Sequence, residues 1–154
     1  MHMEVKTIKD RLNSKDYDFL RTAEGLKDNI ILLTTGGSVA YGTDTPESDL
    51  DIRGIALNSR KELLTMKYRE KPYENKKTDT VIYTLQQIRK LLSNANPNVL
   101  EILGTREEHL FTLTKEKQLL RENHHLFLSK KIISNFVRYA TSLLRATTEH
   151  FSQR

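Results

Sequence analysis

Two aspartates, Asp49 and Asp51, stand at i and i+2 at the head of a segment that continues as Ile52-Arg53-Gly54-Ile55-Ala56-Leu57. Residues two apart in a β-strand face the same side, so this spacing predicts two carboxylates side by side. Like charges that close repel. A divalent cation removes the repulsion, and Mg²⁺ in particular takes carboxylate oxygens, keeps several waters and shares its sphere with substrate phosphates. A second chemical feature lies upstream, where Gly37-Ser38 follows the apolar run Ile30-Ile31-Leu32-Leu33. A Gly-Ser turn is a tight bend whose free N–H groups can hold phosphate. A phosphate cradle beside a metal-binding carboxylate pair is the apparatus of phosphoryl or nucleotidyl transfer.

The elements that position these residues follow from periodicity and turn signals. Residues 5–28 carry Leu12, Tyr17, Leu20 and Leu26 at loose helical spacing and read as one or two helices. Residues 30–35 are β-branched and apolar and read as a strand. A short helix is expected from Ser38, which can cap it. Thr43 to Ser48 is a loop of turn formers. Residues 49–57 are expected as the second strand, and Asn58-Ser59 as the cap of a helix over about 60–66. Residues 67–78 are charged, contain Pro72 and read as a loop. Residues 79–84 read as a third strand, followed by a helix that stops before Asn96-Pro97. Shorter helices are expected over about 98–103 and near Lys115 to Leu120, and a long one over 129–151 with Ile132, Ile133, Phe136, Val137, Tyr139, Ala140, Leu143 and Leu144 on its apolar side.

Composition bounds the answer further. At 154 residues the chain is expected to be one domain, 1–154, with a core over about 28–104 and a helical extension over about 105–154. There are no cysteines, which excludes disulfides and thiolate metal sites. No apolar run approaches the roughly 20 residues that span a membrane, and Met1 to Lys6 lacks the apolar segment of a signal peptide. A cytoplasmic protein is expected, without a membrane partner. The net charge of +5 favours polyanionic partners such as nucleotides or nucleic acid. The chain ends within its last helical pattern, which leaves room for a longer parent protein or a partner surface.

Gly37-Ser38, a spacer, and Ser48-Asp49-Leu50-Asp51 together resemble the signature of the nucleotidyltransferase superfamily that includes DNA polymerase beta. With Ala40-Tyr41-Gly42-Thr43, the trailing Arg53-Gly54 and the downstream Asn96-Pro97-Asn98-Val99-Leu100-Glu101, the string is similar to a bacterial and phage branch known as predicted nucleotidyltransferases. The resemblance covers roughly residues 30–104 and is weaker over the C-terminal helices. It implies a mixed α/β (α+β) fold, a small twisted sheet flanked by helices, and transfer of a nucleoside monophosphate from an NTP such as ATP to an acceptor. The acceptor class stays open among an RNA end, a protein hydroxyl (as in antitoxin-type AMP transferases) and a small molecule. A catalytically silent nucleotide- or partner-binding module of the same fold is the alternative.

The resemblance also implies a third carboxylate on a neighbouring strand, so that Asp49, Asp51 and the third acid hold Mg²⁺ or Mn²⁺. Asp79 is the first candidate because it opens the Val81-Ile82-Tyr83 strand; Glu74 and Glu101 come next. Gly37 and Ser38 are expected at the triphosphate. Arg53 is expected on the carboxylate face, where it either pairs with an aspartate or contacts phosphate. Gly42 is read as structural, and Tyr41 either packs beneath the loop, the favoured reading, or contacts a ligand. Lys67, Arg69, Lys71, Lys76 and Lys77 are either a solvated charge run or a polyphosphate or nucleic-acid contact. The histidines offer no zinc spacing, since His124 and His125 are adjacent and His109 and His150 isolated.

Overall fold

A computed structural model describes residues 3–128 and 130–152. The fold is mixed α+β, built on a five-stranded sheet with strand order β3-β4-β2-β1-β5. The strands are β1 (Ile30–Thr35), β2 (Ile52–Ala56), β3 (Tyr73–Asn75), β4 (Thr80–Thr84) and β5 (Leu110–Leu113). β2 and β4 run parallel, and the other neighbours pair antiparallel. The helices are α1 (Val5–Leu12), α2 (Phe19–Thr22), α3 (Gly37–Tyr41), α4 (Arg60–Thr65), α5 (Leu85–Ser93), α6 (Pro97–Gly104), α7 (Lys115–Glu122) and α8 (Lys131–Ser152).

Both sheet faces are covered, which is why β1 reads as a continuous apolar run rather than an alternation. On one face Ile8 and Leu12 of α1, with Tyr17, Leu20 and Leu26, pack on Leu33, Ile52, Ala56 and Ile82. On the other, Ile88 and Leu92 of α5 and Val99, Ile102 and Leu103 of α6 pack on Ile31, Leu32 and Ile55. The β1–β2 register shifts between Ile30 and Leu32. Such a bulge breaks the strict alternation, and Ile31 and Leu32 both reach the second face.

Local chemistry fixes the helix starts. Ser59 and Thr84 form capping boxes with Glu62 and Gln87. Asn96 caps α6 by accepting from the Val99 N–H, with Pro97 in the first turn. Among the described residues no helix is long and apolar enough to cross a membrane.

Four expectations need correction. β2 begins at Ile52, so Asp49 and Asp51 lie in the extended lead-in and not in the strand. β4 begins at Thr80, and Asp79 sits in the turn before it with φ of 39°. Ser38 does not cap α3; Gly36 does, without a side-chain hydrogen bond, and Ser38 lies inside the helix. The stretch 67–78 is not all loop: Tyr73–Asn75 adds an edge strand to β4. The described part of the expected 129–151 helix starts at Lys131, and residue 129 lies outside the described residues.

Candidate active site

The site begins where β1 runs out. The Gly36 N–H donates to the Asp51 carbonyl at 2.9 Å, which extends the β1–β2 contact by one step before the chain turns into α3. Gly37 takes φ of 55°, a left-handed conformation that disfavours a side chain. The space is closed as well, since a Cβ on Gly37 would collide with the Asp51 carboxylate and one on Gly36 would meet Arg53 Cγ at 2.9 Å. The paired glycines therefore let the two polar side chains lie directly against the turn. Gly42 ends α3 in the left-handed conformation, in keeping with a structural role.

Leu50 is buried between the two aspartates, so Asp49 and Asp51 point away from the core that Leu50 enters. Asp49 is exposed, whereas the Asp51 side chain is 21% exposed. The parallel register pairs Ile52 with Thr80 and Arg53 with Val81. One step back, Asp51 stands beside Asp79, and the two carboxyls come within hydrogen-bond reach. Asp49 acts on Asp51 only more weakly, through space. The acid that touches Asp51 is thus supplied by the neighbouring strand's entry turn.

Arg53 clasps this pair. Its Nη1 donates to the Asp79 carbonyl at 2.6 Å, to Asp79 Oδ1 at 3.3 Å and to the Ile52 carbonyl at 3.0 Å, and its Nη2 lies 3.6 Å from Asp51 Oδ1. The Ile52 N–H also donates to the Asp79 carbonyl at 3.0 Å. The left-handed Asp79, a conformation that aspartate tolerates better than most residues, is held by these bonds. Arg53 pairs with both aspartates, one of the two roles open to it; the other, contact with phosphate, remains a proposal.

Arg53 does not neutralise both acids. Burial, then the hydrogen bond with Asp79, pushes the Asp51 carboxyl up to about 6 against the pull of Arg53. Asp79 is held below the ordinary carboxylate value, first by the hydrogen bond from Asp51 and then, against burial, by Arg53. Between pH 3.8 and about 6 the Asp51 carboxyl thus keeps a proton that an ordinary aspartate would have released.

Asp51 and Arg53 line a cavity of about 540 Å³; Asp79, Asp49 and Ser38 are not among the residues that line it. Gly36, Gly37, Asp51 and Arg53 line it together with Asn98 and Glu101 of α6, Arg106, and Tyr139 of α8. Burial, followed by the interaction of its hydroxyl with Glu101, raises the Tyr41 pKa. Tyr139 is raised by burial and then by the charge of Glu101. Thr35 lines the cavity too, and its buried Oγ1 has no hydrogen-bond partner among the described residues.

The donor set suits a hard divalent cation held by few protein ligands. Among the described residues no group of three or more Asp, Glu or His is gathered as a ready-made cage. Mg²⁺ does not need one, since it binds through one or two carboxylates plus waters and substrate phosphates. Asp51 and Asp79 in contact, with exposed Asp49 alongside, fit that pattern.

Other candidates are placed elsewhere. Glu74 is exposed on β3 opposite Val81 and does not line the cavity. Glu101 lines it, but from the α6 wall. None of the lysine-rich cluster lines it either: Lys67 and Arg69 border a second, open cavity of about 520 Å³ with Tyr68 and Tyr73, and Lys77 pairs with Asp16 at 2.6 Å. Sequence reasoning missed Asn98, Arg106 and Tyr139. The i, i+3 spacing of Asn98 and Glu101 on an otherwise apolar helix was the signal available for the first.

A family model described as RlaP, RNA repair pathway DNA polymerase beta family, matches residues 5–153. No curated protein and no solved structure matches the chain.

Proposed function

The chain belongs to the RNA repair pathway DNA polymerase beta family, a nucleotidyltransferase type, and on that premise we propose that it moves a nucleoside monophosphate from an NTP to an acceptor hydroxyl or phosphate. The observation that carries this reading is the Asp51–Asp79 contact, set against a side-chain-free glycine turn at the edge of a nucleotide-sized cavity. The family description makes an RNA end the acceptor we favour. We read residues 1–154 as one cytoplasmic domain, because Tyr139 of the C-terminal helix reaches the same cavity as the sheet residues.

Asp51 and Asp79, with Asp49, would hold Mg²⁺ or Mn²⁺. Bound there, the metal would supply charge neutralisation at the α-phosphate and a template for the acceptor. Gly37 admits the triphosphate close to the backbone, and the Ser38 hydroxyl and N–H hold its β- or γ-phosphate. Arg53 fixes the Asp79 turn against β2, which sets the spacing of the two carboxyls. The acceptor oxygen attacks the α-phosphorus, the bond to the β-phosphate oxygen breaks, pyrophosphate leaves, and Asp79 takes the acceptor proton.

The test is direct. The protein is incubated with each α-labelled NTP, Mg²⁺ or Mn²⁺, and RNA, protein and small-molecule acceptors, and the label is traced. Label on RNA that disappears in Asp51→Asn supports the reading. Tight NTP binding with no transfer to any acceptor would favour the silent module instead.

A further inference from the structure

Folding explains four of the six residues of the segment Asn96-Pro97-Asn98-Val99-Leu100-Glu101. Asn96 and Pro97 start α6, Val99 is fully buried in the core, and Leu100 packs against that core. Asn98 and Glu101 do neither. Three apart, they share one helix face, and both belong to the wall of the cavity that the glycine turn also lines.

A carboxylate in that wall opposes any polyanion entering the cavity. Glu101 could be relieved by joining the metal site, but the acid in contact with Asp51 is Asp79. It could be relieved by a cation, but among the described residues it forms no salt bridge. Glu101 instead acts on the Tyr41 hydroxyl and, through its charge, on Tyr139. These two rings bring apolar area to the wall, which phosphates do not need. An ionised carboxylate only accepts hydrogen bonds, and one hydroxyl leaves most of its acceptor sites open. The neutral, donor-bearing part of a nucleotide fits what remains.

We propose that Asn98 and Glu101 bind the nucleoside end of the donor nucleotide, with Glu101 accepting from two adjacent donors. Two sources carry that chemistry: the 2′- and 3′-hydroxyls of ribose, and the N1–H and N2–H edge of guanine. This rests on the reading that the cavity takes an NTP, with its phosphates at Gly37 and Asp51.

Glu101→Gln separates the two ideas, because its amide carbonyl can still accept from Tyr41 while the charge and one acceptor are lost. Binding of the four NTPs and of inorganic tripolyphosphate is measured in Mg²⁺ for the wild type, Glu101→Gln and Asn98→Ala. Glu101→Gln should lose about 10-fold or more in NTP affinity, the loss expected for a hydrogen bond to a charged group, and Asn98→Ala about 2- to 10-fold, the loss for a neutral one. Tripolyphosphate should bind Glu101→Gln unchanged or more tightly, since a negative charge is gone. If ribose is the source, 2′- and 3′-deoxy nucleotides bind the wild type as weakly as Glu101→Gln binds the NTP. If guanine is the source, GTP is preferred over ITP, and the preference disappears in Glu101→Gln. Unchanged NTP affinity in both variants, or an equal loss for tripolyphosphate, overturns the proposal while leaving the phosphate site standing. A wild type that binds neither NTP nor tripolyphosphate overturns the nucleotide reading itself, and this proposal with it.

Discussion

Just beyond the C-terminal end of β2, Glu62 accepts from the Ser59 N–H at 2.9 Å, the Arg69 N–H at 2.8 Å and the Ser59 hydroxyl at 3.1 Å. Just before the N-terminal end of the same strand, Asp51 faces another carboxylate and an Arg53 shared between them. Burial opposes the charge of both acids. At Glu62 the donors outweigh it and the carboxyl is held below its ordinary value; at Asp51 a second acid adds to it and the carboxyl is pushed up to about 6. One strand thus carries a satisfied acid that caps a helix and an unsatisfied one beside a cavity. Unsatisfied titratable groups in clefts mark functional sites more often than structural ones, which is why the Asp51 end, and not the equally acidic Glu62 end, carries the proposed chemistry.

The largest expected effect tests that division directly. Asp79→Asn keeps shape and removes charge, and should reduce transfer by at least about 10²-fold, the low end of general-base effects, with NTP binding largely kept. Glu62→Gln should leave transfer within about twofold. Steady-state rates with the same labelled NTP read both, and equal losses in the two variants would erase the functional contrast. Gly37→Val comes next. Its side chain would collide with the Asp51 carboxylate in a left-handed backbone position, so NTP affinity should fall by about tenfold or more. Binding isotherms check this, and a Val variant with wild-type affinity would remove the glycine turn from the phosphate site.

The third effect is on stability, and its sign differs between the two ends. The folded Asp51 carboxyl is raised from 3.8 to about 6, so between those values the native state holds a proton that the unfolded chain has released. Its stability contribution is full below pH 3.8 and is lost as pH rises through about 6. At about 1.4 kcal/mol per pH unit the loss is at most about 3 kcal/mol. Asp79, held low, contributes in the opposite sense: its share is present above its ordinary value and is lost as pH falls. Denaturant unfolding without metal should therefore show wild-type stability declining from pH 4 towards 7, with a flatter profile in Asp51→Asn. An Asp51→Asn profile that parallels the wild type would place the titrating group elsewhere.

Part of this contrast was legible in the sequence. The i, i+2 aspartates and the Gly-Ser turn marked the site, and the apolar run Ile30 to Thr35 marked β1 to the residue. That Asp79 opens the next apolar segment was visible too. That it meets Asp51 depends on β2 and β4 lying parallel in the register Ile52 to Thr80, which no local pattern encodes. The strands missed were the edges. Tyr73–Asn75 is three residues in a charged stretch behind Pro72, and Leu110–Leu113 is four residues long. Short edge strands carry too little periodicity to stand out. Glu101 was noticed, yet its partners Tyr41 and Tyr139 come from α3 and α8, and only the packing of three helices around one cavity brings them together.

The smallest effect belongs to the satisfied end. Glu62 completes the capping box of α4 by accepting from the Ser59 backbone, and it also holds the Arg69 N–H of the segment that follows. Glu62→Ala removes both bonds, but α4 is six residues long with no buried side chain, so little packing depends on it. A cap loss of about 1 kcal/mol is expected. Arg69 stacks over the Tyr73 ring at 4.0 Å, on β3 itself, which limits how far the segment can move once its N–H is released. Since Glu62 is depressed, its contribution is present above its ordinary pKa and fades as pH falls through the folded value. The destabilisation by Glu62→Ala should therefore be larger at pH 7 than at pH 3, opposite in pH dependence to the change at Asp51. Urea midpoints for the two variants at both pH values decide it: shifts that track each other with pH would mean that the two ends of β2 do not differ in the way their hydrogen bonds indicate.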